Sequence, residues 1–403
     1  MSQISKRLDK IKPSPTLAVS QKANELKRMG KKIISLSVGE PDFDTPDNIK
    51  QAAINAINKG FTKYTDVDGT PELKEAIKEK FKRENNLEYE TNQITVGNGG
   101  KQVIYNLFMA SLNPGDEVII PAPYWVSYPD MVLLAEGTPV YIECPIENGF
   151  KLMPLQLANA ITSKTRWLIL NSPSNPTGAA YSKAELAALA EVLKQHPQVS
   201  ILTDDIYEHI IFEEFRFFNI VNACPELKNR TFILNGVSKA YSMTGWRIGY
   251  GAGNADLIKA INIIQSQSTS NPSSISQKAA VEALSGTQDF IRPNAKEFEK
   301  KRDIVVEVLN SIEGIECAKP EGAFYVFPSC ARLFNRMDPA GNIIRNSNDF
   351  AGFLLEYAEV AVVPGIGFGL DGHFRISTAT SREILLEACN RIKQACSLLK
   401  WNP

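Results

Sequence analysis

The sequence predicts an α/β protein with a mainly parallel central sheet flanked by helices, a smaller α+β domain after it and an N-terminal arm before it. Short apolar runs that suit buried strands alternate with stretches of helical periodicity from residue 93 onward. Near residue 295 the texture changes to a charged helix followed by mixed short elements. At 403 residues the chain also exceeds a single core. It divides as an arm and small-domain segment (1–46), a large domain (47–296) and a small C-terminal domain (297–403).

Taken in order, residues 1–31 are basic, carry Pro13 and Pro15, and read as an arm that packs on another surface. Ile33–Val38 is the first strand-like run, and Gly39–Asp44 is a loop. Thr45-Pro46 opens a helix as N-cap and first-turn proline, with Ile49, Ala53, Ala56 and Ile57 on one face and Gly60 as its stop. Thr70-Pro71 repeats that start ahead of Leu73, Ile77 and Phe81. Gln93–Val96 is strand-like, and the turn Gly97-Asn-Gly-Gly100 leads from it into a helix bearing Val103, Ile104 and Leu107. Further strands are expected at Glu117–Pro121, Trp167–Leu170, Ser200–Thr203 and Phe232–Leu234, with a helix at Ala184–Leu193. In the last part, a helix over Phe298–Leu309 precedes a strand at Gly322–Phe327 and a polar surface excursion at 335–348. A Thr380-x-x-Glu383 capping box then opens the terminal helix, with Ile384, Leu385, Ala388, Ile392, Cys396 and Leu399 at helical spacing.

Composition removes several function classes. Lys plus Arg is 44 against 45 for Asp plus Glu, so no one-signed field favours nucleic acid or an anionic membrane. The six cysteines form no Cys-x-x-Cys pair and suit inert thiols in a reducing compartment. Three dispersed histidines offer no metal site. The N-terminus lacks the apolar core of a signal peptide, and no unbroken run of 18 apolar residues exists, so a cytoplasmic protein is expected.

The chemistry gathers around Thr231–Tyr250, where an apolar run breaks into small polar residues holding Lys239 and then Arg247. A lysine just past a buried strand, with Val237, Met243 and Trp246 nearby, is partly desolvated, and desolvation favours the neutral, nucleophilic amine. Other strand ends add to it. The glycines of the Gly97–Gly100 turn, with Lys101, let an anion approach a helix N-terminus. Trp125 follows the Val118–Ile120 run and suits ring stacking. Asn175 sits in the turn-rich loop Asn171–Gly178, and Asp204 and Tyr207 lie where ligands of open α/β sheets bind. Singly, each has an ordinary structural explanation: a solvated loop lysine, a tight turn, a packed tryptophan, a turn asparagine, a capping aspartate. Together they meet the needs of pyridoxal 5'-phosphate: an amine, an acid for the pyridine nitrogen, a phosphate cradle and a stacking group.

The motifs Gly39-Glu-Pro-Asp, Lys63-Tyr64, Gly99-Gly-Lys101, Pro123-Tyr-Trp-Val-Ser-Tyr128, Asn171–Gly178, Asp204–His209, Ser238–Arg247, Gly322-Ala-Phe-Tyr325 and Phe374-Arg375 occur in family order. The chain thereby resembles the fold-type I, class I aminotransferases, within them the bacterial aspartate/prephenate subgroup. The resemblance implies that Lys239 carries the cofactor and shuttles the proton, that Asp204 keeps the ring nitrogen protonated, and that Asn175 and Tyr207 reach its phenolic oxygen. It implies that Trp125 stacks on the ring, that Gly99, Gly100, Lys101, Ser238 and Arg247 hold the phosphate, and that Tyr64 reaches the phosphate of a neighbouring subunit, which requires a homodimer. Arg375, with Asn175 and the Gly39 backbone, would bind the substrate α-carboxylate; a structural salt bridge to a small-domain acid is its ordinary alternative. The distal carboxylate would fall to Lys101 and an arm containing Lys12, Ser14 and Thr16, with Lys12 linked to prephenate use.

The activity so implied is transamination between L-aspartate and 2-oxoglutarate by a ping-pong mechanism, extended to prephenate giving arogenate. Aromatic or alanine transamination and lyase chemistry share the cofactor and remain as alternatives, since fold does not set substrate. A non-catalytic regulator is disfavoured by the presence of both Lys239 and Arg375.

Overall fold

Runs such as Val118–Ile120 and Leu168–Leu170 carry apolar side chains on both faces, which a strand tolerates only when both faces are covered. In the computed structural model, which describes residues 4–401 except Lys12 and Ser14, these runs form the middle of a seven-stranded sheet. Its strands are β1 (Ile94–Asn98), β2 (Glu117–Ala122), β3 (Thr138–Glu143), β4 (Thr165–Asn171), β5 (Ser200–Asp204), β6 (Thr231–Gly236) and β7 (Ile248–Ala252). Their spatial order is β1-β7-β6-β5-β4-β2-β3. Only the pairings made by β7 are antiparallel, and the others are parallel. Side chains alternate between two covering layers. Ile119, Leu168, Leu170, Ile201 and Ile233 enter one buried cluster, and Val118, Ile120, Ile169, Leu202 and Leu234 enter the other. At roughly 1.5–3 kcal/mol for each such side chain, a slip of one residue in register would be strongly penalised.

A second apolar core holds Leu36 together with Val305, Leu309, Phe350, Leu354, Phe374, Leu385 and Ile392. It carries a small antiparallel sheet of β8 (Tyr325–Val326), β9 (Val363–Pro364) and β10 (Phe374–Ser377), in the order β9-β10-β8. The early segment Ile34–Ser35 pairs in parallel with Val360–Ala361, so residues from the start of the chain complete this late-chain unit. The helix Pro15–Arg28 has Ala23 buried in a patch with Ile33 and Ala361. No helix among the described residues is long and apolar enough to cross a membrane. All six cysteines are free and buried.

Several sequence expectations are corrected. Thr45 is not an N-cap, because Pro46 takes that position and the helix is Asp47–Asn58. The Thr45 hydroxyl instead donates to the Ser242 carbonyl at 2.6 Å and accepts from the Trp246 indole at 3.1 Å, a tertiary use that outcompetes the local one. Thr70 does cap its helix, accepting from the Leu73 N–H. Ile57 is exposed, unlike Ile49, Ala53 and Ala56. The terminal helix is capped by Ser381, not Thr380, and leaves Ile384 exposed. The helix expected at Phe298–Leu309 runs Ile291–Asn310, and within Ile33–Val38 only Ile34–Ser35 forms a strand. The polar stretch 335–348 is partly built in: Arg336–Met337 pairs with Lys400–Trp401, and Asp338 and Ile344 are buried. Strand β3 has no clear sequence signal, because Pro139 breaks its alternation and it lies at the sheet edge.

Candidate active site

Parallel strands end together, so the residues beyond Asn98, Ala122, Asn171, Asp204 and Gly236 share one edge of the sheet. Strand β7 runs the other way, and Arg247 just before it therefore starts at the same edge. That edge opens into a cavity of about 410 Å³ shared with β8, β10 and the Val38–Glu40 loop. Its size falls within the ~300–1,000 Å³ of small-ligand sites.

Asp204 is buried at the end of β5. The Tyr128 hydroxyl donates to its Oδ2 at 2.6 Å, and the Ile206 N–H donates to Oδ1 at 3.3 Å. Burial pushes its pKa up to about 6, with Tyr128, the Ile206 N–H and the Lys239 charge pulling the other way. The carboxyl is thus ionised at neutral pH because its partners oppose desolvation. Tyr128→Phe removes a hydrogen bond to a charged group, worth about 1.5–3 kcal/mol. Removing a contact that lowers the Asp204 pKa must raise it, so the acid limb of the kcat/KM profile is expected to move to higher pH, with activity at pH 7 down about tenfold. A pH–rate profile of the variant against the parent checks this.

Lys239 follows β6 and donates from Nζ to the Gly39 carbonyl at 2.7 Å. The amine lies 5.8 Å from the ring centres of both Tyr207 and Phe324. Burial lowers its pKa to about 8, helped by Arg375 and Arg247 and opposed by Glu40 and Asp204. A lysine so placed reaches its neutral form at moderately alkaline pH.

The anion end is built on backbone. The helix Gly100–Ser111 has no acidic residue in its first turn, and Gly99 precedes it at φ 83°. A Cβ at Gly99 would collide with the Arg247 guanidinium, and one at Gly249 with the Gly100 backbone, so glycine is required for the close approach. Arg247 itself sits in the left-handed region at φ 56°, a strained conformation found at functional sites. Its guanidinium donates to the Thr244 carbonyl at 2.8 Å and the Asn98 carbonyl at 3.3 Å. The Thr244 hydroxyl in turn donates to Glu40. Lys101 Nζ stands 5.0 Å from the Trp125 ring centre, its pKa lowered by burial and then by Arg247. Arg247 and Lys101 are both solvent-accessible, Lys101 with its amine partly desolvated by its neighbours, so this end opens to solvent in the single chain.

At the opposite end Arg375 is buried between the Tyr325 and Phe368 rings, 4.6 and 5.1 Å from their centres. It donates to Asn175 Oδ1 at 2.8 Å and to the Ser37 carbonyl at 2.6 Å, while its Nε has no partner among the described residues. Its partners among the described residues are thus an amide and a carbonyl rather than a carboxylate. A buried guanidinium with neutral partners attracts an anion able to accept from its fork. Tyr207 and Tyr325 share a hydroxyl–hydroxyl bond of 2.8 Å beside it.

Of the residues singled out from sequence, Gly39, Gly100, Lys101, Trp125, Asn175, Asp204, Tyr207, Ser238, Lys239, Arg247 and Arg375 line this one cavity, as does Thr16. Gly99 flanks it against Arg247. Tyr64 does not: it is 92% exposed and lies outside the cavity of its own chain. Lys12 and Ser14 lie outside the described residues. Sequence reasoning assigned no role to Tyr128, Tyr325, Asn171 or Thr244. Asn171 donates to the Asp204 carbonyl at 2.9 Å and accepts from the Asn175 N–H at 2.9 Å, which fixes the loop that carries Asn175. Tyr128 and Tyr325 end motifs already noted, and that was the only signal for them.

The model of the family "Aminotransferase class I and II" matches residues 31–392. A Rickettsia typhi protein named probable aspartate/prephenate aminotransferase is 63% identical over 99% of this chain and 100% of its own. The aspartate/prephenate aminotransferase of Cereibacter sphaeroides is 58% identical over 98% of this chain and 99% of its own. Among solved structures, the aspartate aminotransferase of Rhizobium meliloti superimposes with a TM-score of 0.97 at 55% identity, covering 99% of this chain and 100% of that one. The Thermus thermophilus aspartate aminotransferase with maleate gives 0.91 at 42% identity, covering 98% and 100%.

Proposed function

The chain belongs to the class I and II aminotransferases, and on that premise we propose that it moves the amino group between L-aspartate and 2-oxoglutarate, yielding oxaloacetate and L-glutamate. One observation carries the reading. A desolvated amine (Lys239), a buried carboxylate held by a tyrosine (Asp204) and a buried arginine bonded to an amide and a carbonyl oxygen (Arg375) line a single cavity. The names of the relatives support aspartate as the donor.

The residues fit pyridoxal phosphate: glycines keep the anion end open, and a desolvated lysine faces a carboxylate across the cavity. When bound, that cofactor supplies an aldehyde for the lysine and a ring that accepts the electron pair left at the substrate Cα. The Lys239 amine then takes the proton from Cα. Asp204, kept ionised by Tyr128, would hold the ring nitrogen protonated, and Asn175 and Tyr207 would hydrogen-bond the phenolic oxygen. Trp125 would stack on the ring, while Ser238, Arg247 and the N–H groups from Gly99 to Lys101 would hold the phosphate. Arg375 takes the α-carboxylate with Asn175 and the Gly39 backbone, which orients the Cα–H bond toward Lys239. Lys101 and Thr16 line the cavity and would meet the distal carboxylate; Lys12, outside the described residues, is assigned there by resemblance alone. Extension to prephenate rests on the relatives' names and on Lys12.

The solvent-facing Arg247 and Lys101 and the outlying Tyr64 support a homodimer in which the partner closes the anion end. Segments 1–46 and 297–403 would close over the ligand as a unit against 47–296. The free, buried cysteines support a reducing, cytoplasmic setting. The test is a substrate panel. Purified protein given the aldehyde should absorb as a lysine conjugate, change spectrum on adding aspartate or glutamate, and sediment at twice the chain mass. Turnover should favour aspartate over tyrosine and alanine, and Lys12→Ala should lower prephenate turnover more than aspartate turnover. A spectrum unmoved by both dicarboxylic amino acids would reject the assignment.

A further inference from the structure

Behind the cavity, and outside its lining, lies a buried polar group that the proposed reaction does not use. Lys80, on the inner face of the helix Pro71–Asn85, is fully buried and paired with Glu208, itself buried. Asn85 accepts from Lys80 at 2.7 Å and donates to Glu208 Oε2 at 2.6 Å. Asn235 of β6 donates to Glu208 Oε1, also at 2.6 Å. Burial alone would raise the Glu208 pKa, but the Lys80 and His209 charges and the hydrogen bonds from Lys80 and Asn85 hold it below its ordinary value. Glu84, Glu208 and His209 also approach one another as metal ligands do. The Lys80 ammonium already contacts both carboxylates, so the cation of this cluster is the protein's own.

Buried ion pairs contribute little net stability relative to apolar packing, so the geometry suggests another role. Glu208 directly follows Tyr207, and its N–H closes the turn after Asp204 by donating to the Asp205 carbonyl at 2.9 Å, while Asn235 lies on the strand leading to Ser238 and Lys239. The Glu208 carboxylate thus spans the two chain segments that carry the acid and the amine, with Lys80 as a fixed post on a third. We propose that Glu208 is a positioning residue, anchored by Lys80, that sets the distance between the Asp204–Tyr207 turn and the Ser238–Lys239 segment. The inference rests on the cofactor assignment above. Misplacement of reacting groups by ~1 Å costs about 10²-fold in rate, and that sets the scale expected.

The experiment compares wild type, Glu208→Gln, the charge-neutral pair Lys80→Gln/Glu208→Gln, and Asn235→Ala, which cuts the Glu208 contact to β6 together with the local bond that Asn235 Oδ1 accepts from the Gly236 N–H. Each is assayed for melting temperature, for pyridoxal phosphate Kd by titration of cofactor-free protein, and for kcat and KM with aspartate. Expected for every folded variant is a kcat lowered about 10–100-fold, an aspartate KM within about twofold, and a weakened cofactor Kd. If Glu208→Gln fails to fold, the neutral pair and Asn235→Ala carry the test. Folded variants with kcat and cofactor Kd within about twofold of wild type would overturn the inference and leave the cluster a stability element. A wild-type protein that binds no pyridoxal phosphate would instead overturn the cofactor assignment.

Discussion

Lys239→Ala is expected to lower kcat by about 10⁴-fold or more, because it removes both the covalent attachment and the base that takes the Cα proton. Single-turnover absorbance with aspartate checks this, and the variant should still bind the cofactor through Arg247, Ser238 and the Gly99–Lys101 backbone. A second signature separates the chemistry from a folding defect. The native pKa of Lys239 is lowered to about 8 from its ordinary 10.5. Between those values the unfolded chain binds more protons than the native one, so the contribution of Lys239 to stability rises with pH. Below about pH 8 the charged, buried amine costs the native state most. Alanine removes that cost together with the 2.7 Å bond to the Gly39 carbonyl. Relative to cofactor-free wild type, the cofactor-free variant should therefore gain stability as pH falls through the 10.5–8 window. Denaturant melts at pH 7.5 and 10.5 measure it, and a difference that grows with pH would contradict the burial of the amine.

Arg375→Leu is expected to cost about 10²–10⁴ in kcat/KM with aspartate, most of it in KM. Each hydrogen bond from a guanidinium to a carboxylate is worth about 1.5–3 kcal/mol, and a bidentate pair doubles that. Steady-state kinetics across several amino acids should show a similar loss for all of them, since the α-carboxylate is common to each. Arg375→Lys should recover little, because a point charge cannot reproduce the planar fork lodged between Tyr325 and Phe368. Leucine also leaves the Asn175 and Ser37 oxygens without their donor. It removes, at the same time, a cation whose pKa burial already depresses. Melting temperatures close to wild type are therefore expected beside the kinetic loss. An aspartate KM unchanged by leucine would place the carboxylate contact elsewhere.

What could be read from the chain alone follows from local rules. Period-two alternation and apolar runs marked β2, β4, β5 and β6, because a strand buried on both faces has no polar option. The Thr70-Pro71 helix start was legible because its cap bonds only three residues away. Lys239, Asp204, Asn175 and Arg375 stood out through chemistry that strand ends concentrate, and through motifs that run along the chain. Their contacts were not legible in that way. Thr45 had a local use as a cap and a distant one beneath Ser242, and only packing chose the distant one. Tyr128 meets Asp204 across 76 residues, and Lys80 meets Glu208 across 128. A buried polar group must find a partner somewhere, but nothing in a linear pattern says which. The sequence by itself therefore determined the layered α/β architecture, the reactive groups and the family. Only the tertiary structure decided which groups hold those reactive side chains in place, because that choice depends on sheet order and burial, which join residues that the chain keeps far apart.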